Sequence, residues 1–320
     1  MFEQALQSVL QQSLSDLEVI ISDNASEDDI ESVTRKVGDP RLRFYRQERN
    51  IGPHGNIRFL QSLVRGEYVL FLMSDDLLLP NCLEKAVGVL EQSPERGGVV
   101  YMTAQYGSSG FQSISSMPPL AYADAETYKN RKDVRCFGFP SPSLCLYRSK
   151  TFQELGGWDP ELLAAVDWEM YFRVINKGGG MVYLHDVLAI MRNHDNRHSA
   201  TTAVTWDGYH DVLILTQRPE HRWGGRHKAR VVSEQLLWDL RLRRNPKRTL
   251  HHAWRHSAIS AFLLLLPYEV LRRSCLKLKH GWRKLANSSN DDDGEISHQD
   301  SCERSRLDRY WASMTQSAGQ

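Results

Sequence analysis

The 320-residue chain is poor in cysteine, with five in all, and no two of them form a Cys-x-x-Cys pair. Cys82, Cys136, Cys145, Cys275 and Cys302 are scattered and odd in number, which argues against a disulfide framework or a zinc site and fits a reducing cytosol. Long apolar runs are also lacking. The longest, Ala261 to Leu266, falls far short of the roughly 20 residues that a membrane-spanning helix needs. Met1 is followed by an amphipathic pattern rather than a basic segment and an apolar core, so no signal peptide is expected. Nor does one charge prevail: a formal net charge of +1 argues against a general nucleic-acid binder. That balance conceals an asymmetry, since Glu269 is the only acid between Arg241 and Lys284.

With 41% hydrophobic and 25% charged residues the composition is that of a soluble protein, and the length suits one large domain with an appendage. Phe2, Ala5, Leu6, Val9 and Leu10 recur at helical spacing, and Leu17 to Ile21 reads as a buried strand. Helices are expected over Glu27 to Val37, Gly52 to Val64, Asn81 to Glu91 and Asp167 to Asn176. Strands are expected at Arg41 to Arg46, Tyr68 to Met73, Gly98 to Met102, Leu144 to Tyr147 and Met181 to Leu184. This alternation predicts an α/β protein with a mainly parallel sheet. Gly107 to Tyr122, rich in Ser, Gly and Pro, reads as a loop over the active face.

Two strands end on polar pairs. Val69 to Pro80 runs from apolar residues onto Asp75 and Asp76, and Glu18 to Ser26 finishes on Asp23 and Asn24. Open α/β sheets bind ligands at the carboxyl ends of their strands, and adjacent carboxylates there suit a divalent cation. A solvated turn with a helix cap is the alternative for Asp75-Asp76, and an Asx-turn for Asp23. Between the two strands lie Asn50, Gly52 and Asn56, and Gly66-Glu67-Tyr68 leads into the second; Gly156-Gly157-Trp158-Asp159, Asp167-Trp168-Glu169 and Arg173 follow.

In this order and at these intervals, the segments resemble the family 2 glycosyltransferases, which carry the GT-A fold of nucleotide-sugar transferases. The family's opening strand with Pro-Thr-Tyr-Asn has no counterpart here, and Met1 to Leu10 resembles the helix that follows it. The resemblance implies a GT-A domain over residues 1–203, N-terminally incomplete, with a mainly parallel Rossmann-like sheet. It also implies an inverting, metal-dependent transfer from a nucleotide-diphosphate sugar to a glycan or lipid-linked acceptor in cell-surface polysaccharide biosynthesis. Asp76 is then the expected direct ligand of Mn2+ or Mg2+, with Asp75 on the ribose or a second metal contact. His194, in Met191-Arg192-Asn193-His194, approaches the metal or the diphosphate together with Arg192. Asp23, Asn24 and Asn50 belong to the nucleotide-sugar side, Asn50 with Gly52 and Asn56 also shaping the loop. Asp167 is the expected general base, with Glu169 second. Two departures stand out: Met73 where the family often has Asp, and Val166 where it usually has Glu. They motivate a rival reading, a non-catalytic sugar-nucleotide-binding or interaction protein derived from a truncated transferase. A nucleotidyltransferase is a weaker third, because no Gly-rich, basic phosphate loop opens the chain.

Residues 204–286 read as a helical basic extension, and 287–320 as a polar, disordered tail with a short helix near Leu307 to Trp311. Within the extension, apolar residues from Ser257 to Leu285 are flanked by Arg272, Arg273, Lys277, Lys279, Arg283 and Lys284. That pattern suits peripheral contact with an anionic membrane at its inner face, and equally a helix pair with a solvated basic side. A cytoplasmic location follows from the whole.

Overall fold

A computed structural model of the chain describes residues 1–115, 117–130, 142–194, 211–212, 214–215, 217–218 and 294–316. The chain divides into two compact units, Met1–Asp195 with Tyr310–Gln320, and Asn196–Arg309. The basic segment from Ser257 to Leu285 and nearly all of the 204–286 extension lie outside the described residues.

The first unit begins with α1 (Phe2–Leu10), whose apolar side buries Ala5 and Leu6. There follow β1 (Val19–Asp23), α2 (Ile30–Val37), β2 (Leu42–Arg46), α3 (Gly52–Ser62), β3 (Tyr68–Leu70), β4 (Leu77–Leu78) and α4 (Cys82–Glu91). Next come β5 (Gly98–Gly107), β6 (Gly110–Ile114), β7 (Tyr122–Ala123), α5 (Ala125–Asn130), β8 (Cys145–Arg148), α6 (Ser149–Glu154), α7 (Val166–Lys177) and β9 (Met181–Arg192). The last described element is α8 (Gly294–Gln316).

The α/β architecture is the expected one, but the sheet is mixed rather than mainly parallel. Among the described strands, β1–β2 and β5–β9 pair in parallel, and β3–β8, β5–β8, β4–β9, β5–β6 and β7–β9 pair antiparallel. Only the β5–β6 pair is a short hairpin return; the other antiparallel pairs join strands far apart in sequence, an order that local periodicity does not reveal. The stretch Gly107 to Tyr122, expected as a loop, supplies that return. Gly107 and Gly110, the latter at φ 94°, reverse the chain so that β6 pairs with β5.

The described strands form two sheets, β1 with β2 and a seven-stranded one whose central order is β3-β8-β5-β9-β4. Glu18 joins them, its carboxylate accepting the Arg65 N–H (2.8 Å) and the Gly66 N–H (3.2 Å) just before β3 while pairing with Arg43 (2.6 Å). The main core lies between α4 and the large sheet, where Leu78, Cys82, Ala86, Leu90, Val99, Tyr101, Leu146 and Leu188 pack together. A second, aromatic core joins Phe71, Tyr147, Phe152 and Trp158 with ring centroids 5.2 to 6.4 Å apart. Trp158 and Trp168, both 3% exposed, are packing residues.

The tail expected to be disordered instead contains the 23-residue helix α8. Its last turns have apolar anchors: Trp311 stacks on Tyr106 at 4.7 Å, and Met314 is buried. Composition alone hid these few contacts among many polar residues.

Strand β9 ends on Arg192, with His194 two residues beyond, and the turn before it depends on Gly179. This residue has φ 84°, and a Cβ there would lie 2.1 Å from the Glu95 carbonyl oxygen. Gly179→Ala is expected to cost about 2 to 4 kcal/mol, combining left-handed strain with a backbone clash. Urea unfolding measures it; a loss below 1 kcal/mol would show that the turn yields freely.

Candidate active site

Strand β3 is short because the chain leaves the sheet after Leu70 to form a turn. The Asp76 N–H bonds to the Met73 carbonyl (3.0 Å), and the Met73 N–H to the Ser143 hydroxyl oxygen (3.1 Å). This turn aims the two carboxylates differently. Asp76 is 4% exposed; it accepts the Arg192 N–H (3.3 Å) and hydrogen-bonds the Ser143 hydroxyl. Burial, reinforced by the negative charge of Asp75, pushes its carboxyl up to about 7, against the pull of Ser143 and Arg192. Asp75 is about a quarter exposed, and its Oδ2 lies 3.0 Å from His194 Nε2, which is equally open.

Arg192 is buried and spends its guanidinium on three neutral oxygens. Nε donates to the Asp75 carbonyl, Nη1 to Gln4 Oε1 and Nη2 to the Met1 carbonyl (3.1 Å). Burial lowers its pKa while Asp76 and Asp75 raise it. Asp75, Asp76, Arg192 and His194, far apart in sequence, therefore form one cluster at the carboxyl end of β3 and the end of β9.

A second cluster forms where β1 ends. Asp23, its side chain almost fully buried, accepts the Ser26 N–H (2.9 Å) and pairs with Arg46 (2.5 Å), its direct neighbour in the β1–β2 register. Asn24 donates to Asn50 Oδ1 (2.9 Å) and accepts the Ile51 N–H (2.9 Å), while Asn50 also accepts the Gly52 N–H (2.8 Å). Asn56 donates to the Ser22 carbonyl (2.9 Å). These bonds make Asn24, Asn50 and Asn56 the braces of the loop. The Asx-type bond of Asp23 closes its own turn, and the cap of α2 is Asp29 instead.

Asp167 stands half-buried in the first turn of α7, where its Oδ1 accepts the Trp168 N–H (2.8 Å). Glu169 is 2% exposed and paired with Arg173 through two hydrogen bonds, one of 2.8 Å. That pair fixes α7 against the Leu155 carbonyl, which Arg173 also reaches, so Glu169 is not open to an acceptor.

Among the described residues no group of three or more His, Cys, Asp or Glu side chains is placed to hold a metal. Yet the two open donors, Asp75 Oδ2 and His194 Nε2, converge beside a second carboxylate. One or two carboxylates suffice when phosphate oxygens and water complete the shell, so these residues fit a divalent cation bound together with a diphosphate. Three contributors had no signal in the sequence: Ser143 under Asp76, Arg46 beside Asp23 and Gln4 against Arg192. Each is placed by pairing or packing alone.

Residues 1–156 match the family model for Glycosyl transferase family 2, and this part of the chain belongs to that family. Over 238 residues, 73% of this chain and 70% of the relative, it is 24% identical to an uncharacterized glycosyltransferase of Rickettsia typhi. Over 86 residues, 26% of this chain and 28% of the relative, it is 37% identical to the GalNAc(5)-diNAcBac-PP-undecaprenol beta-1,3-glucosyltransferase of Campylobacter jejuni. In fold it is similar to the mannosyltransferase PcManGT from Pyrobaculum calidifontis in complex with GDP-Man and Mn2+. The TM-score there is 0.53 at 16% identity, over 84% of this chain and 76% of that one. The domain is a glycosyltransferase of GT-A fold.

The raised carboxyl of Asp76 has a consequence for stability. The folded chain keeps that proton up to about pH 7, whereas the unfolded chain releases it near 4. Between those values the folded state binds more protons, so this group's contribution falls as pH rises and levels off above about 7. With EDTA present, Asp76→Asn is expected to gain on the wild type by up to about 4 kcal/mol between pH 4 and pH 8. A difference that stays constant across that range would contradict the burial of a costly carboxylate.

Proposed function

We propose that the chain is an inverting, divalent-cation-dependent glycosyltransferase that moves a sugar from a nucleotide-diphosphate donor to a lipid-linked glycan acceptor in cell-surface polysaccharide biosynthesis. The observation that carries this reading is the convergence of Asp75 and His194, backed by Asp76 and Arg192, at the end of β3. A divalent cation there would neutralise the charge that develops on the departing diphosphate. Asp75 and His194 supply the open donors, and Asp76 with Ser143 holds the turn from behind. The Asp23–Arg46 pair offers an acceptor and a donor side by side, which suits a nucleobase or ribose edge. In the transfer, the acceptor hydroxyl oxygen bonds to the anomeric carbon as the bond from that carbon to the phosphate oxygen breaks. The nucleoside diphosphate leaves with the bonding electrons, and the hydroxyl proton passes to the Asp167 carboxylate.

The undecaprenol-linked acceptor named for the Campylobacter relative favours a lipid-linked acceptor here, and Mn2+ in the Pyrobaculum structure favours a divalent cation. Among the described residues no helix is long and apolar enough to cross a membrane. Peripheral contact of a cytoplasmic protein through residues 257–285, read from sequence, would bring the site to such an acceptor.

Two substitutions separate binding from chemistry. Asp75→Asn should weaken Mn2+-dependent binding of UDP or GDP by at least about 100-fold, because even outer-shell partners of a metal are worth roughly 10- to 100-fold. Asp167→Asn should leave that affinity within a few-fold but lower turnover by about 100- to 10,000-fold, as expected for loss of a general base. Calorimetry and a transfer assay over a panel of UDP-, GDP- and dTDP-sugars read both. Unaltered nucleotide affinity in Asp75→Asn, or near-normal turnover in Asp167→Asn, would remove the corresponding role.

A further inference from the structure

The end of α8 is tied to the acidic turn by a continuous chain of hydrogen bonds, and Gln4 is its middle link. Gln4 Nε2 donates to the Met314 carbonyl (2.7 Å), while Gln4 Oε1 accepts from Arg192 Nη1. A carbonyl can only accept and a guanidinium can only donate, so the amide has one orientation that satisfies both. Arg192 then passes the link on, through Nε to the Asp75 carbonyl and through its backbone N–H to Asp76 Oδ1.

The Met314 carbonyl that Gln4 reaches lies in the last described turn of α8. Two further contacts fix the same turns on either side of the acidic motif. The Tyr310 hydroxyl donates to the Leu78 carbonyl (2.7 Å), two residues past Asp76. The Trp311 ring stacks on Tyr106, which lies opposite Arg192 in the β5–β9 register and whose carbonyl accepts the Asn193 N–H (2.7 Å).

We infer that the docked turn Tyr310–Gln316 positions the Asp75–Asp76 turn through Gln4 and Arg192, which makes Gln4 a positioning residue for the active site. Arg192 carries a long side chain with several rotatable bonds, and ordering it costs rotamer freedom. Gln4 and the Met1 carbonyl hold it in place, so the guanidinium meets the Asp75 carbonyl in one geometry. The effect on cation binding rests on the reading of Asp75 and His194 given above; the coupling itself does not.

Amide hydrogen exchange on the full chain reads the coupling without any metal. In Gln4→Met, which removes both bonds at similar volume, exchange across Met73–Leu79 and Ala189–Asn193 should rise about tenfold, with β8 and residues 98–101 of β5 unchanged. Trp311→Ala should do the same, and the double variant should add nothing further, since both break one link. Gln4→Glu, which keeps an acceptor for Arg192 but loses the donor to the Met314 carbonyl, should leave the acidic turn as open to exchange as Gln4→Met does, because the link to α8 is still broken. Unaltered exchange at Met73–Leu79 in Gln4→Met, a rise spread evenly over the sheet, or multiplied effects in the double variant would overturn the inference. Electron paramagnetic resonance of Mn2+ added together with UDP or GDP to the same proteins separates the two readings. Wild-type protein that holds no Mn2+ overturns the assignment of the cation site, whereas equal Mn2+ affinity in wild type and Gln4→Met overturns the role of Gln4 in it.

Discussion

The geometry of the site depends on one buried cation, the guanidinium of Arg192. Two adjacent carboxylates at a sheet edge repel each other, and one of them, Asp76, is buried where its charge is costly. Arg192 places a positive charge against both; its guanidinium donates to neutral oxygens of Met1, Gln4 and Asp75, and its backbone N–H to the Asp76 carboxyl. Those bonds leave the carboxylate of Asp75 unspent and facing His194. A residue that the sequence pattern suggested for contact with the donor thus does much of its work behind the turn, holding it open.

α1 is the other half of that support. Ser8 of α1 accepts the Leu78 N–H (3.1 Å), while Gln12, just past the end of the helix, donates to the Leu79 carbonyl (2.9 Å) and accepts the Leu83 N–H (3.1 Å). The helix is therefore stapled to the segment that leaves the acidic turn, and buried polar side chains do the stapling. Each such bond is worth about 1 kcal/mol net, but leaving one partner buried and unmet costs more, which favours a single register of α1 on β4. The same helix carries Gln4, so the last described turns of α8 and the acidic motif both bond to α1.

Much of this site was legible in the sequence because its signal is local. An apolar strand that ends on Asp75-Asp76, or on Asp23-Asn24, announces a strand end facing ligand without reference to any other part of the chain. What stayed hidden is pairing. Arg46 lies opposite Asp23 only through the β1–β2 register, and Ser143 meets Asp76 only because β8 lies beside β3. The extent of β5 and β9, ten and twelve residues, was also underestimated, since irregularities in their register let them continue past the expected ends. Gly107 and Gly110 carry turn chemistry, but composition cannot tell a hairpin from a wandering loop. In α8 a few anchors, Tyr310, Trp311 and Met314, outweigh a polar majority.

Fold similarity to transferases establishes the architecture, and the chemistry has to come from the site itself. Here that chemistry reduces to whether Asp75 and His194 hold a divalent cation. Diffraction at the manganese absorption edge, from crystals grown with MnCl2 and UDP or GDP, tests it most directly. The predicted result is one anomalous peak within coordinating distance of the Asp75 carboxylate and His194 Nε2, with the diphosphate on its open side. A nucleotide bound with no peak there, or a peak held by other side chains, would contradict it.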